Sequence, residues 1–238
     1  MNLFPFFKKQ QNPITVDLHS HLLPGIDDGV KTVEESIEII KQFKLLGYTK
    51  LITTPHIILD TYPNNKEIIL EKLQDVREAI EKQNIDIIIE ASAEYYLDDG
   101  FINLLEEGEL IPFMEHYILF ETPRTSRPLN FDHAIREITK RGYIPVLAHP
   151  ERYSYLHQDI NLYKKLKAQG VLLQVNLKSL YTPSSPISKI ALKLINKGLV
   201  DFIGSDVHRM HDIKKIEKVI ESRNYQKILK KNTLLNNS

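Results

Sequence analysis

The sequence predicts an α/β fold, a distorted (β/α)7 barrel, on three observations. Seven short apolar runs alternate with stretches of helical periodicity, as parallel βαβ units require. Histidines and carboxylates follow six of those runs, at the C-terminal strand ends where such barrels carry their chemistry. No glycine-rich phosphate loop follows the first run, which argues against an open doubly wound sheet.

The first run, 14–18, leads into Val16-Asp17-Leu18-His19-Ser20-His21. On extended backbone two histidines two apart point to the same side, so both imidazoles can meet one cation. By itself that pair is a weak signal; its weight comes from similar residues after the later runs. Next come Asp27, read as a turn cap, and Asp28. Thr32-Val33-Glu34-Glu35 has the form of a capping box, and Val33, Ile37, Ile40 and Lys44 trace a helix face that stops at Gly47.

A strand at 50–54 delivers His56. Ile69, Leu73, Val76 and Ile80 mark a helix between 63 and 83, and the apolar strand 86–91 precedes Glu94. Asp98 and Asp99 read as turn and cap residues ahead of a short helix, 101–107. Strand 117–120 ends in Glu121, and a helix over 131–141 stops at Gly142. Strand 144–148 presents His149, with Arg152 three residues on. A helix at 160–169 is followed by strand 171–175. Ser185-Pro186 opens another helix, with proline at its first position, and Gly198 closes it. The last strand, 199–203, carries Ser205-Asp206-Val207-His208-Arg209. The segment 214–238 reads as a charged helix followed by a polar tail from 232. Residues 1–13 read as a flexible arm, because 1–11 have neither the apolar core nor the cleavage site of a signal peptide; 14–238 then form a single domain.

Composition excludes several function classes. With 31 basic and 31 acidic residues the chain has no net field to attract nucleic acid or an anionic membrane, so an anionic substrate must be gripped locally. The absence of cysteine removes disulfides, thiolate metal sites and any cysteine nucleophile. No window approaches the roughly 18 apolar residues of a spanning helix, and a cytoplasmic location is expected.

The run DLHSHLLPGIDDG, with TTPH, AEYY, ETP, AHPERY, QVN and SDVH in that order, resembles the polymerase and histidinol phosphatase (PHP) superfamily, in particular its CpsB/CapC/YwqE branch. The resemblance spans residues 16 to 211. It implies a manganese-dependent protein-tyrosine phosphatase whose substrate is the tail of a bacterial tyrosine kinase controlling capsular or exopolysaccharide synthesis. It further implies that His19, His21, Glu94 and Asp206 bind one metal, that Glu94 is shared with a second completed by Glu121 and His149, and that Asp28, His56 and His208 bind a third. In such a three-metal cluster a metal-activated hydroxide attacks phosphorus. Ligands of this kind by themselves suit Mn, Fe or Zn, the oxygen-rich positions leaning towards Mn or Fe; Mn is what the resemblance implies, with Fe, Zn or Mg as alternatives.

Arg152 can offer a bidentate fork to phosphate, and Arg209 is a second candidate clamp. Asp206 or His208 is nearest by motif to serve as a general acid. Two alternatives stand beside this reading: a small-molecule phosphomonoesterase of the histidinol-phosphatase type, and a metal-binding regulatory protein without turnover. Oligomerisation is left open. His116, His133, His157 and His211 are assigned structural or surface roles, and Asp17 a structural hydrogen bond. Tyr95 and Tyr96 either line the mouth or pack in the core.

Overall fold

The computed structural model describes residues 12–237. Seven strand lines run parallel around a barrel, and two of them are interrupted. They are β1 (Val16–Asp17), β2 (Lys50–Thr53) continued by β3 (His56–Ile57), β4 (Ile88–Ala91) continued by β5 (Glu94–Tyr96), β6 (Tyr117–Glu121), β7 (Ile144–Ala148), β8 (Leu172–Asn176) and β9 (Phe202–Gly204). Hydrogen bonding orders them as β1-β2-β4 and as β3-β5-β6-β7-β8-β9, every pair parallel. The two sheets join where Glu94 N donates to Pro55 O at 3.0 Å, and the ring closes where Asp206 N donates to His19 O at 2.7 Å and His21 N to Val207 O at 2.9 Å. The predicted distorted (β/α)7 barrel is therefore the observed one, and its splits fall at the two lines that carry His56 and Glu94.

Eight α-helices pack outside among the described residues: α1 (Val33–Leu45), α2 (Lys66–Lys82), α3 (Asp99–Glu107), α4 (Phe131–Lys140), α5 (Ile160–Ala168), α6 (Pro186–Asn196), α7 (Met210–Ile220) and α8 (Arg223–Lys231). Thr32 caps α1 as its motif predicts, but Glu35 returns its carboxylate to Lys31 N rather than to the cap's own N–H. Asp98 caps α3 and Ser185 caps α6. The larger core lies between strands and helices. A second, smaller cluster fills the ring: Leu18, Ile52, Leu119, Val146, Ala148 and Phe202, all buried. Alternation along the strands then lifts the next inward residues, Glu121, Gln174, Asn176 and Gly204, to the layer above it.

The predicted polar tail is a correction. Asn236 is fully buried; it accepts from Ile203 N and donates to Val16 O and Ile203 O, while Leu235 packs against the inner cluster. The tail thus plugs the end of the barrel opposite the chemistry. The predicted arm needs a similar adjustment. Residues 1–11 lie outside the described residues, but Asn12 is buried, accepts from Ile14 N and Tyr225 Oη, and so belongs to the folded body.

Candidate metal centre

The C-terminal end of the barrel gathers four histidines and three carboxylates below its surface, with His208 and Asp28 at the rim. Donor atoms lie within 4.8 Å of one another in four overlapping groups: His19 with His21 and Asp206, His19 with Glu94 and His149, His56 with Glu94 and Glu121, and His21 with Asp28, His56 and His208. Parallel pairing explains part of this, since His56 sits beside Glu94 and Tyr96 beside Glu121 in register. His149 and Asp206 leave their strands in left-handed backbone, at φ 31° and 52°. Neither is glycine, and such strain, of order 1–3 kcal/mol each, persists where the surroundings fix the conformation.

Neighbouring side chains fix the ring orientations. Nδ1 of His19 donates to Gln174 Oε1 and Nδ1 of His21 to Asp27 Oδ2, each at 2.8 Å. Both acceptors lack a proton to give, so in the neutral rings the lone pairs sit on Nε2. Those two Nε2 atoms face each other at 3.4 Å, with Glu94 Oε2 at 3.2 Å from the first and 3.5 Å from the second. Buried His56 Nδ1 has no hydrogen-bond partner and stands 3.2 Å from Glu94 Oε2 and 3.4 Å from Glu121 Oε1. Converging imidazole nitrogens and carboxylates form a donor set that fits divalent cations. Close approach requires glycine at two places: a Cβ on Gly204 would meet His19 Cβ at 2.6 Å, and one on Gly29 would meet His21 Cβ at 2.6 Å.

The protein's own electrostatics are uneven across the cluster. Burial, reinforced by the charge of His208, lowers His21 to about 4; burial, reinforced by Arg152, lowers His149 to about 4. Burial opposes charge on His208 too, yet the carboxylates of Asp206 and Asp28 win and pull it up to about 10. Burial, with Glu94 and Asp206 close by, holds Glu121 well above the carboxylate range. Burial opposes ionisation of Asp206, but Arg152 and Lys178 outweigh it and hold the carboxyl well below that range. Three crowded acids, one of them resisting ionisation, are what a cation at this place would relieve.

The sequence matches the profile of a family described as capsular polysaccharide synthesis, CpsB/CapC, over residues 15–238. The chain belongs to the CpsB/CapC family. Within it, CapC of Staphylococcus aureus is 32% identical, the match covering 81% of this chain and 76% of that protein. The tyrosine-protein phosphatase YwqE of Bacillus subtilis is 27% identical over 82% of this chain and 78% of its own. A solved chain from a work described as crystal structures of YwqE from Bacillus subtilis and CpsB from Streptococcus pneumoniae, unique metal-dependent tyrosine phosphatases, aligns at a TM-score of 0.79 with 25% identity, covering 92% of this chain and 96% of that chain. An amidohydrolase from Mycoplasma synoviae, at a TM-score of 0.54 and 13% identity, shares the fold alone.

For this CpsB/CapC chain, all nine residues singled out as ligands meet at one end of the barrel. Arg152 reaches Asp206 Oδ2 at 2.6 Å. Arg209 is exposed at the cap of α7 and lines a cleft of about 520 Å³ beside His208, with Glu34, Glu35, Glu38 and Met210. Asp27 does more than cap a turn, since the oxygen that holds His21 also accepts from His56 N at 3.1 Å. Three neighbours escaped the sequence reading: Gln174 and Asn176, in the QVN motif, and Lys178, which contacts the backbone oxygen of Asp206 and its carboxylate. Two-residue alternation from Gln174 to Asn176 was the available signal for the first two. Tyr62, also unforeseen, stacks on His56 at 5.8 Å and 11°. Tyr95 is core and Tyr96 half-buried near Glu121. Asp17 accepts from Ser205 N and Oγ, a structural pair as expected.

Proposed function

We propose that this chain is a manganese-dependent protein-tyrosine phosphatase, acting in the cytoplasm on the phosphorylated tail of a bacterial tyrosine kinase that controls capsular or exopolysaccharide synthesis. The observation that carries this reading is the Nε2–Nε2 approach of His19 and His21 among Glu94, Asp206 and His149, with Arg152 on the same carboxylate. Membership of a family with tyrosine-phosphatase relatives supports the substrate.

In this reading residues 14–238 act as one unit, and His19, His21, Glu94 and Asp206 hold one cation. Glu94 is shared with a second cation completed by Glu121 and His149, while Asp28, His56 and His208 hold a third. Bound cations would supply Lewis acidity at phosphate oxygens and a water acidic enough to furnish hydroxide near neutral pH. Nitrogen and oxygen donors without thiolate support Mn over softer ions.

The chain's own residues do the rest. Arg152 has free N–H groups beyond the one on Asp206 and orients the phosphate. His208, on the rim between Asp206 and Asp28, serves in this reading as a cation ligand and not as the proton donor. A phenolate leaving group, with a pKa near 10, needs no dedicated general acid. Among the described residues no helix is long and apolar enough to cross a membrane. The clefts beside the cluster, one of about 520 Å³ and one of about 310 Å³, support an extended substrate over a small metabolite.

The test is phosphate release from a phosphotyrosine peptide and from histidinol phosphate by metal-stripped protein, with and without Mn. Mn-dependent turnover of the peptide, lost in His149→Ala, is expected. Preference for histidinol phosphate would move the function to small-molecule hydrolysis. Turnover of neither, despite bound metal, would favour a binding protein.

A further inference from the structure

The two clefts that flank the centre differ in charge. The one beside α1 sets three glutamates, Glu34, Glu35 and Glu38, against Lys31 and Arg209. The other, of about 310 Å³, is lined by Arg152, Lys178 and Lys215 together with the hydroxyl-bearing Ser179, Thr182 and Ser185. Its remaining wall is Ile187, so no acidic side chain faces it. We infer that this cleft is a second anion subsite, which takes a carboxylate or a phosphate carried by the substrate next to its phosphotyrosine.

The cations that line it are only partly committed. Arg152 and Lys178 both lean on Asp206, at 2.6 and 3.2 Å, and Lys215 pairs with Asp212 at 2.8 Å. Three cations thus share two carboxylates. An arginine has five N–H donors and a lysine three, so donors remain on each. Ser179 Oγ is directed to Glu151 at 2.7 Å and Ser185 Oγ caps α6, which leaves the lysines and Thr182 as the open polar wall. Because Arg152 and Lys178 belong to the metal centre as much as to the cleft, an anion seated there lies beside a phosphate at the cluster. Lys215, on α7, is 34% exposed and forms the outer wall.

This inference rests on the phosphatase reading, and its test separates the two. Four peptides carry one phosphotyrosine flanked on both sides by glutamate, by alanine, by lysine or by a second phosphotyrosine. Their kcat/KM values are compared for the Mn-loaded wild type, Lys215→Met, Lys215→Glu and, as a charge-matched control on α8, Lys227→Glu. The wild type is expected to favour the glutamate peptide over the alanine peptide roughly three- to tenfold, the scale of one charge-assisted contact. That ratio should fall towards one in Lys215→Met, invert in Lys215→Glu and persist in Lys227→Glu. The second-phosphotyrosine arm tells whether phosphate is preferred to carboxylate.

Equal rates for glutamate and alanine peptides in the wild type, or a ratio that Lys215→Met leaves in place, would overturn the subsite. Dissociation constants of the same peptides bearing a non-hydrolysable phosphonate are measured alongside. If no peptide turns over, the phosphatase reading falls, and the phosphonate ratios still decide the subsite.

Discussion

Asp27 holds His21: the ring Nδ1 donates to Asp27 Oδ2 at 2.8 Å, and the same oxygen accepts the backbone N–H of His56 at 3.1 Å. One buried carboxylate thereby fixes two candidate ligands, and Gly29 N, at 2.8 Å from Oδ1, fixes the carboxylate. Partners of this kind are worth about 10–100-fold in metal affinity. Asp27→Ala is therefore expected to weaken Mn binding by that factor, measured by competition with a chelator, while Asp27→Asn, which keeps an acceptor for the ring, loses less. Unchanged affinity in Asp27→Ala would remove the positioning role.

The metal-free protein should lose stability on the acid side through His149. In the unfolded chain this ring takes up a proton near 6.5, in the folded protein only near 4, because burial and Arg152 disfavour the cation. The unfolded state then binds more protons between those values, so stability is full above about pH 6.5 and falls as pH drops to about 4. The loss is on the order of 3 kcal/mol as an upper bound. His208, pulled up to about 10, has the opposite sign: its contribution is complete below 6.5 and is lost as pH rises through 10. Thermal denaturation of chelator-treated His149→Gln should show a shallower acid limb than wild type and the same alkaline one. Parallel acid limbs would contradict the assignment.

In the proposed reading Arg152 contacts the phosphate, and its loss should be the most specific. Its guanidinium meets Asp206 at 2.6 Å with only 17% of the side chain exposed. Arg152→Ala is expected to lower kcat/KM for a phosphotyrosine peptide by about 10²–10³, the scale of losing one preorganised donor at a developing charge. Arg152→Lys should recover little of it, since an ammonium cannot offer two parallel N–H groups. Mn affinity, measured separately, distinguishes this from damage to the centre; a rate loss that tracked the affinity loss would mean that Arg152 serves only to brace Asp206.

Gly204 offers a steric test of the same region. A methyl group there would press on His19 Cβ at 2.6 Å and Gln174 Nε2 at 2.7 Å, contacts that real Cβ atoms do not tolerate. Gly204→Ala should displace the His19–Gln174 pair and lower Mn affinity by at least about tenfold. Wild-type affinity in a folded Gly204→Ala protein would show that the pair has room to yield.

How much of this was legible in the sequence follows from the range of the forces involved. Strand ends are local: a β-run followed by His or Glu declares both its period and a candidate ligand, and the nine candidates lie at one end of the barrel. Helix caps such as Asp98 and Ser185 are equally local. Long-range pairing is not. Lys178 reaches Asp206 across 28 residues, and nothing near Lys178 in the chain distinguishes it from other surface lysines.

The C-terminal asparagines show the same blindness and give the last prediction. Asn232, Asn236 and Asn237 look like a solvated tail, because asparagine favours turns and chain ends. In the fold, Asn236 is fully buried 33 residues from Ile203, where it accepts from the backbone N–H at 3.0 Å and donates to the carbonyl at 2.7 Å, with Val16 O at 3.1 Å. It substitutes for a missing strand neighbour at the barrel floor. Asn236→Ala would leave those three backbone groups buried without partners, at about 1–3 kcal/mol for each group that water cannot reach. With some water entry we expect a net loss of about 3 kcal/mol, a fall in Tm of roughly 6–12 °C for a chain of this size. Asn237→Ala, at the exposed edge, should cost less than about 1 kcal/mol. Thermal denaturation of the metal-loaded proteins decides it: equal Tm values for Asn236→Ala and wild type would mean that the barrel floor does not need its plug.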